Sequence, residues 1–109
     1  MSVYYSPEDL GLESIASLDL DNEPYQFDIV AVWRHTETGR VYWATDSGCS
    51  CPSPFENFNK LEDFEELVRA NYNELLCIVE NALRPTSYGQ CDVAEARSFL
   101  RAVNDVLVG

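Results

Sequence analysis

What this chain lacks narrows its chemistry before any motif is weighed. It has no long apolar run: the longest stretches, Ile29 to Trp33 and Leu75 to Val79, fall far short of the roughly 20 residues that span a bilayer. Its first residues, Met1-Ser2-Val3-Tyr4-Tyr5-Ser6-Pro7-Glu8-Asp9, have neither the basic start nor the apolar centre of a secretory signal, so the expected location is the cytosol. Bases are scarce, with seven against nineteen acids and a formal net charge of -12. Glu8, Asp9, Glu13, Asp19, Asp21, Glu23 and Asp28 all precede the first base, Arg34. Such a surface repels phosphate, which disfavours direct nucleic-acid binding and anionic membranes. It reads as a solubilising surface, or more sharply as a lure for a basic surface that normally holds nucleic acid. Walker-type phosphate loops, G-x-G-x-x-G and H-E-x-x-H are all missing. No C-x-x-C pair occurs among the four cysteines, Cys49, Cys51, Cys77 and Cys91, which the cytosol would keep reduced.

What is present fits one domain, residues 1–109, of ordinary globular composition. Ser6-Pro7-Glu8-Asp9-Leu10-Gly11 has the chemistry of one capped helical turn, with Pro7 at the first helical position and Gly11 at the exit. Leu12 to Leu20 alternates imperfectly and is read as an edge strand, followed by a turn at Asp21-Asn22-Glu23-Pro24. The strongest local signal is a β-hairpin: Tyr25 to His35 and Arg40 to Ser47 flank Thr36-Glu37-Thr38-Gly39. Pairing His35 with Arg40 sets Trp33 opposite Tyr42, Val32 opposite Trp43 and Ala31 opposite Ala44. Phe27, Ile29, Ala31, Trp33, Tyr42 and Ala44 then share one face, and Val30, Val32, Val41 and Trp43 the other. Both faces are apolar, so each needs a cover, from this chain or from a partner.

Beyond the loop from Gly48 to Phe58, Asn59 and Glu62 have the spacing of a capping box. Leu61, Phe64, Leu67, Val68, Leu75, Leu76, Val79, Ala82 and Leu83 recur at helical steps, predicting one helix of roughly 35 Å that stops before Pro85. Glu62, Asp63, Glu65 and Glu66 suit its positive N-terminal end. Cys77 is expected to be a buried structural thiol. Asp92 caps a last helix whose inner face is Val93, Ala96, Phe99, Leu100, Val103 and Leu107. The expected fold is α+β: an antiparallel three-stranded β-meander followed by two α-helices packed on one face, in the order β-β-β-α-α.

Catalytic constellations fail on geometry. The one histidine, His35, sits at the hairpin tip and Cys49 beyond its open end. About nine residues of strand, roughly 30 Å, separate them, whereas a nucleophile–base pair needs contact at about 3 Å. A zinc site from Cys49, Cys51 and Cys91 lacks a close ligand pair and a fourth ligand, so no metal and no cofactor is expected. The segment Asp46-Ser47-Gly48-Cys49-Ser50-Cys51-Pro52-Ser53-Pro54-Phe55-Glu56 is the better lead, because two prolines stiffen it and an aromatic tips it. It reads either as a recognition surface or as a structural corner whose Phe55 and Phe58 tuck under the helix. The candidate partner-binding residues are Trp43, Asp46, Ser47, Gly48, Cys49, Cys51, Pro52, Pro54, Phe55 and Glu56.

The run Tyr42-Trp43-Ala44-Thr45-Asp46-Ser47-Gly48-Cys49-Ser50-Cys51-Pro52-Ser53-Pro54-Phe55-Glu56 resembles the signature of a family of small proteins from bacteriophages that infect actinobacteria, mycobacteria among them. Tyr4-Tyr5, Pro7, Leu10-Gly11-Leu12-Glu13 and Tyr25-Gln26-Phe27-Asp28 resemble the same group. The resemblance implies origin rather than mechanism: an accessory phage product in the host cytosol, with no catalytic residues to carry over. The expected function is a non-enzymatic interaction module that binds and perturbs a host protein. The alternatives are an acidic nucleic-acid mimic and a self-associating protein, dimeric through Val30, Val32, Val41 and Trp43.

Overall fold

The computed structural model describes residues 6–20, 26–49, 55, 60–82 and 93–108, with the side chains of 26, 27, 47–49 and 82 left aside. A 3-10 turn over Pro7–Leu10 leads through Gly11, which takes the left-handed conformation (φ 74°), into strand β1, Leu12–Asp19. Strands β2 (Gln26–His35) and β3 (Val41–Cys49) form the expected hairpin. Trp33 pairs with Tyr42, Val32 with Trp43 and Ala31 with Ala44, and the His35 amide donates to the Arg40 carbonyl at 2.7 Å. Gly39 closes the loop at φ 75°.

Strand β1 contains a bulge. Ser14 lies opposite Trp33 but Ala16 lies opposite Val32, so Ile15 is the extra residue. A bulge inverts the facing of everything after it. Leu12 and Leu18, six positions apart, therefore bury on opposite sides of the sheet, which a regular period of two would forbid. This is the physical reason the alternation looked imperfect. Glu13 and Arg34, opposite each other in the register, form an exposed ion pair across the two strands.

The expected long helix is not one element. Leu61–Asp63 is a 3-10 turn and Glu65–Glu66 is a fourth strand, β4, antiparallel to β3 opposite Trp43 and Tyr42. Arg69–Asn71 is a further 3-10 turn, and among the described residues of this stretch only Tyr72–Ala82 is α-helical, as α1. The three-stranded meander is thus corrected to four strands in the order β1-β2-β3-β4. Spacing misled here because Phe64 and Leu67 fit one helix face, whereas the chain is extended between them and buries them on opposite sheet faces. The free edge of β3 offers backbone partners that outweigh the weak helix preference of a few residues. Asn71 secures the junction: its Oδ1 accepts the Val68 amide at 2.8 Å and its Nδ2 donates to the Glu66 carbonyl at 2.8 Å. Asn59 and the turn at 21–24 lie outside the described residues; within them, the Lys60 amide donates to Asp63 Oδ2.

Each sheet face is closed by this chain. Helices α1 and α2 (Val93–Val108) supply Leu75, Val79, Ala96, Phe99 and Val103 to the face bearing Val30, Val32, Val41 and Trp43. The other face, with Leu12, Ile29, Ala31, Trp33 and Ala44, is covered by Phe55 and Phe64, with Leu10 and Leu61 at its margin. Strand β4 is where the chain passes from one cover to the other. The hairpin face assigned to a second copy is therefore buried beneath the helices and offers no dimer surface. Two further expectations are corrected. Cys77 is exposed, because Leu75 and Val79 take the inward face of α1 and Cys77 lies midway between them. Val93 and Val68, placed on inner faces, are 51% and 43% exposed. No helix among the described residues is long and apolar enough to cross a membrane.

Candidate functional site

Strand β3 carries the first half of the expected recognition loop. Its residues Ser47, Gly48 and Cys49 continue the ladder opposite Asp28, Phe27 and Gln26. Asp46 is half-buried, and its Oδ2 accepts the Phe55 amide at 2.7 Å. Phe55 has φ 61°, an uncommon conformation for a residue with a side chain. The bend returns its ring to the sheet, where it is 0% exposed and sits edge-on to Trp33, 5.2 Å between centroids at 88°. Phe64 approaches the same indole at 5.0 Å. Phe55 is accordingly a core residue, not an exposed tip. Trp43 is also core, 7% exposed beneath the helices. Cys51, Pro52, Pro54 and Glu56 lie outside the described residues, as do Phe58 and Cys91.

His35 stands at the closed end of the hairpin, where its Nδ1 accepts the Thr38 amide at 3.2 Å. The Thr36 amide and hydroxyl both donate to the Gly11 carbonyl, tying the first turn to this end. Cys49 is opposite Gln26, at the other end of the ladder. The length of the hairpin thus separates the two residues, as their spacing implied. Among the described residues no three His, Cys, Asp or Glu side chains gather as a metal-ligand set.

The feature that spacing did not disclose lies along the outer edge of β3. Pairing with β4 ends at Trp43 and Glu65, because the chain leaves the edge in the turn Leu61–Asp63. Between that turn and β3 opens a cleft of about 190 Å³, lined by Trp43, Ala44, Thr45, Asp63 and Glu65. Its two carboxylates, Asp63 and Glu65, are exposed, as are Glu62 and Glu66 next to them in the chain. Arg40 meets Glu66 at 3.9 Å, toward the hairpin tip. The Trp43 indole N–H is buried and has no hydrogen-bond partner among the described residues. The signal available in the sequence was the four carboxylates from 62 to 66, which a helix N-terminus explained equally well.

The match to known families covers nearly the whole chain. Residues 1–107 match the family described as Domain of unknown function (DUF7574), and the chain belongs to that family. Comparison with curated proteins and with solved structures gives no match.

Proposed function

We propose that this member of the DUF7574 family is a non-catalytic protein-binding module that recognises a basic surface on its partner. The observation that carries the reading is the closure of both sheet faces by the chain itself. An apolar patch on the hairpin is no longer on offer, and what the surface presents instead is charge, at a net -12 over 109 residues. Charge of one sign steers a basic partner and repels nucleic acid and anionic membrane alike. The resemblance of residues 42–56 to actinobacteriophage proteins supports a host protein as that partner, met in the host cytosol, with no cofactor required.

A sharper form is favoured by Glu62, Asp63, Glu65 and Glu66, all exposed where the chain turns into β4. Clustered carboxylates can stand in for phosphates, so the partner would be a protein that normally holds nucleic acid. The test is capture from mycobacterial lysate at low and high salt. Surface attraction is screened over about 10 Å at 0.1 M salt and about 3 Å at 1 M. The reading expects a basic partner retained at low salt and released at high salt. A nucleic-acid-handling protein among those released supports the mimic; a partner held equally at both salts overturns recognition by charge.

A further inference from the structure

A second hollow, of about 330 Å³, opens where the start of β3, the segment after β4 and the last turn of α2 meet. That volume falls at the small end of the roughly 300–1,000 Å³ of small-molecule pockets. Val41 and Leu67, both nearly buried, line its deep side, and Val68, Val106 and Leu107 complete an apolar wall. Apolar surface is left bare here: Val68 is 43% exposed, and Val108, which follows Leu107 in the chain, is 63% exposed. Two of the chain's seven bases, Arg40 and Arg69, line the same hollow against one acid, Glu66, so its lining is positive in a chain of net charge -12. Arg40 and Glu66 approach at 3.9 Å with both side chains largely in water, a pair loose enough to be shared with a second carboxylate. Arg69 is exposed and enters no ion pair among the described residues. The backbone donors around the hollow are already occupied. The amides of Gly39, Arg40, Leu67 and Val68 donate to His35, Thr38, Val41 and Asn71.

We infer that this hollow binds a small apolar acid, a medium-chain alkyl carboxylate, with the alkyl group against Val68, Val106 and Leu107 and the carboxylate held by Arg40 and Arg69. The two halves of such a ligand match the two halves of the lining. Removing bare valine and leucine surface from water favours the alkyl group, and the planar fork of arginine suits a carboxylate. A peptide laid here would bring carbonyls that find the neighbouring amides taken, whereas a free acid carries no backbone groups to satisfy. This site is independent of the basic partner and lies at the hairpin-tip end of the sheet.

The experiment titrates the full chain with octanoate, followed by the backbone N–H signals in nitrogen-15 NMR. Octanamide serves as the uncharged counterpart, acetate as the charge without the alkyl group, and acetyl-alanyl-leucine as a peptide carboxylate. Octanoate is expected to shift the Val41, Val68 and Leu107 amides saturably, and to bind about tenfold or more tighter than each of the other three. The pair R40Q and R69Q should weaken octanoate binding by about tenfold, the sum of two solvent-exposed charge contacts. Both side chains are exposed, so folding is preserved. E66Q, which releases Arg40, should tighten binding by about two- to threefold. The pair R97Q and R101Q removes the same charge from exposed sites on α2 outside the hollow and should leave binding unchanged. No saturable shift at those three amides, equal binding of octanamide or acetate, or equal weakening by both arginine pairs would overturn the inference, as would weaker binding by E66Q. Equal or tighter binding of acetyl-alanyl-leucine would give the hollow to a peptide terminus and overturn the free acid.

Discussion

Replacing Phe55 by alanine distinguishes a core anchor from a recognition tip. The ring is fully buried and meets Trp33 edge-on at 5.2 Å. Truncating a phenylalanine in such a place costs about 3–5 kcal/mol, from lost transfer energy and the cavity left behind. Alanine keeps the Cβ, so the positive φ of 61° is not relieved and gives nothing back. A domain of this size has about 5–15 kcal/mol in total, so the variant should sit near the edge of folding. With a urea slope of about 1.5 kcal/mol per M, the unfolding midpoint should fall by about 2–3 M. Urea titration followed by tryptophan fluorescence reads this directly. Because the ring contacts Trp33, a cycle pairing Phe55→Leu with Trp33→Phe should show coupling of about 0.5–1.5 kcal/mol. A loss below about 1 kcal/mol for Phe55→Ala, with partner capture abolished, would refute the core assignment and restore Phe55 as a contact residue.

Asn71→Ala removes the acceptor of the Val68 amide and the donor to the Glu66 carbonyl. It should cost about 1–2 kcal/mol and speed hydrogen exchange at the Leu67 amide, which donates to the Val41 carbonyl; unchanged exchange there would show that β4 holds without this staple. Gly39→Ala should cost about 1–2 kcal/mol from its left-handed backbone alone, since a Cβ there meets nothing within 4 Å. Gly11→Ala should cost more by thermal melting, because its Cβ would also lie 3.2 Å from His35 Nε2; equal losses would mean the histidine ring moves aside freely. Cys77, exposed on α1, should be alkylated in the native protein as fast as in a denatured control, with mass spectrometry locating the label. Protection of Cys77 would show that its side of the helix is covered.

How far the fold was legible depends on how local each cause is. The hairpin register was readable because one short loop with a left-handed glycine fixes which residues face each other, and aromatic and β-branched residues crowd both strands. The last helix was readable from its own period, apart from its first residue, Val93, which lies exposed. The segment from Leu61 to Asn71 was not. Phe64 and Leu67 satisfy a helical step and an extended crossing equally, and only the presence of an unpaired β3 edge beside them selects the second. That two of the candidate partner-binding residues, Trp43 and Phe55, are buried was hidden for a similar reason. Proline stiffness and an aromatic at a loop end describe an exposed tip and a buried anchor alike, and for Phe55 the packing against Trp33 decides between them.

By itself the sequence determined the acidic character, the hairpin and its pairing, the α+β class, and the need for two covers on a sheet apolar on both sides. These follow from composition, from turn chemistry and from side-chain alternation, all of which act within a few neighbouring residues. Tertiary structure alone decided what the covers are. It switched β1 across the sheet with a bulge at Ile15, spent Phe55 and Phe64 on one face and the helices on the other, and opened the cleft at Trp43 where β4 begins. Those outcomes depend on which edge is free and which face is bare once the hairpin exists, and such contacts join residues too far apart along the chain for any local pattern to encode.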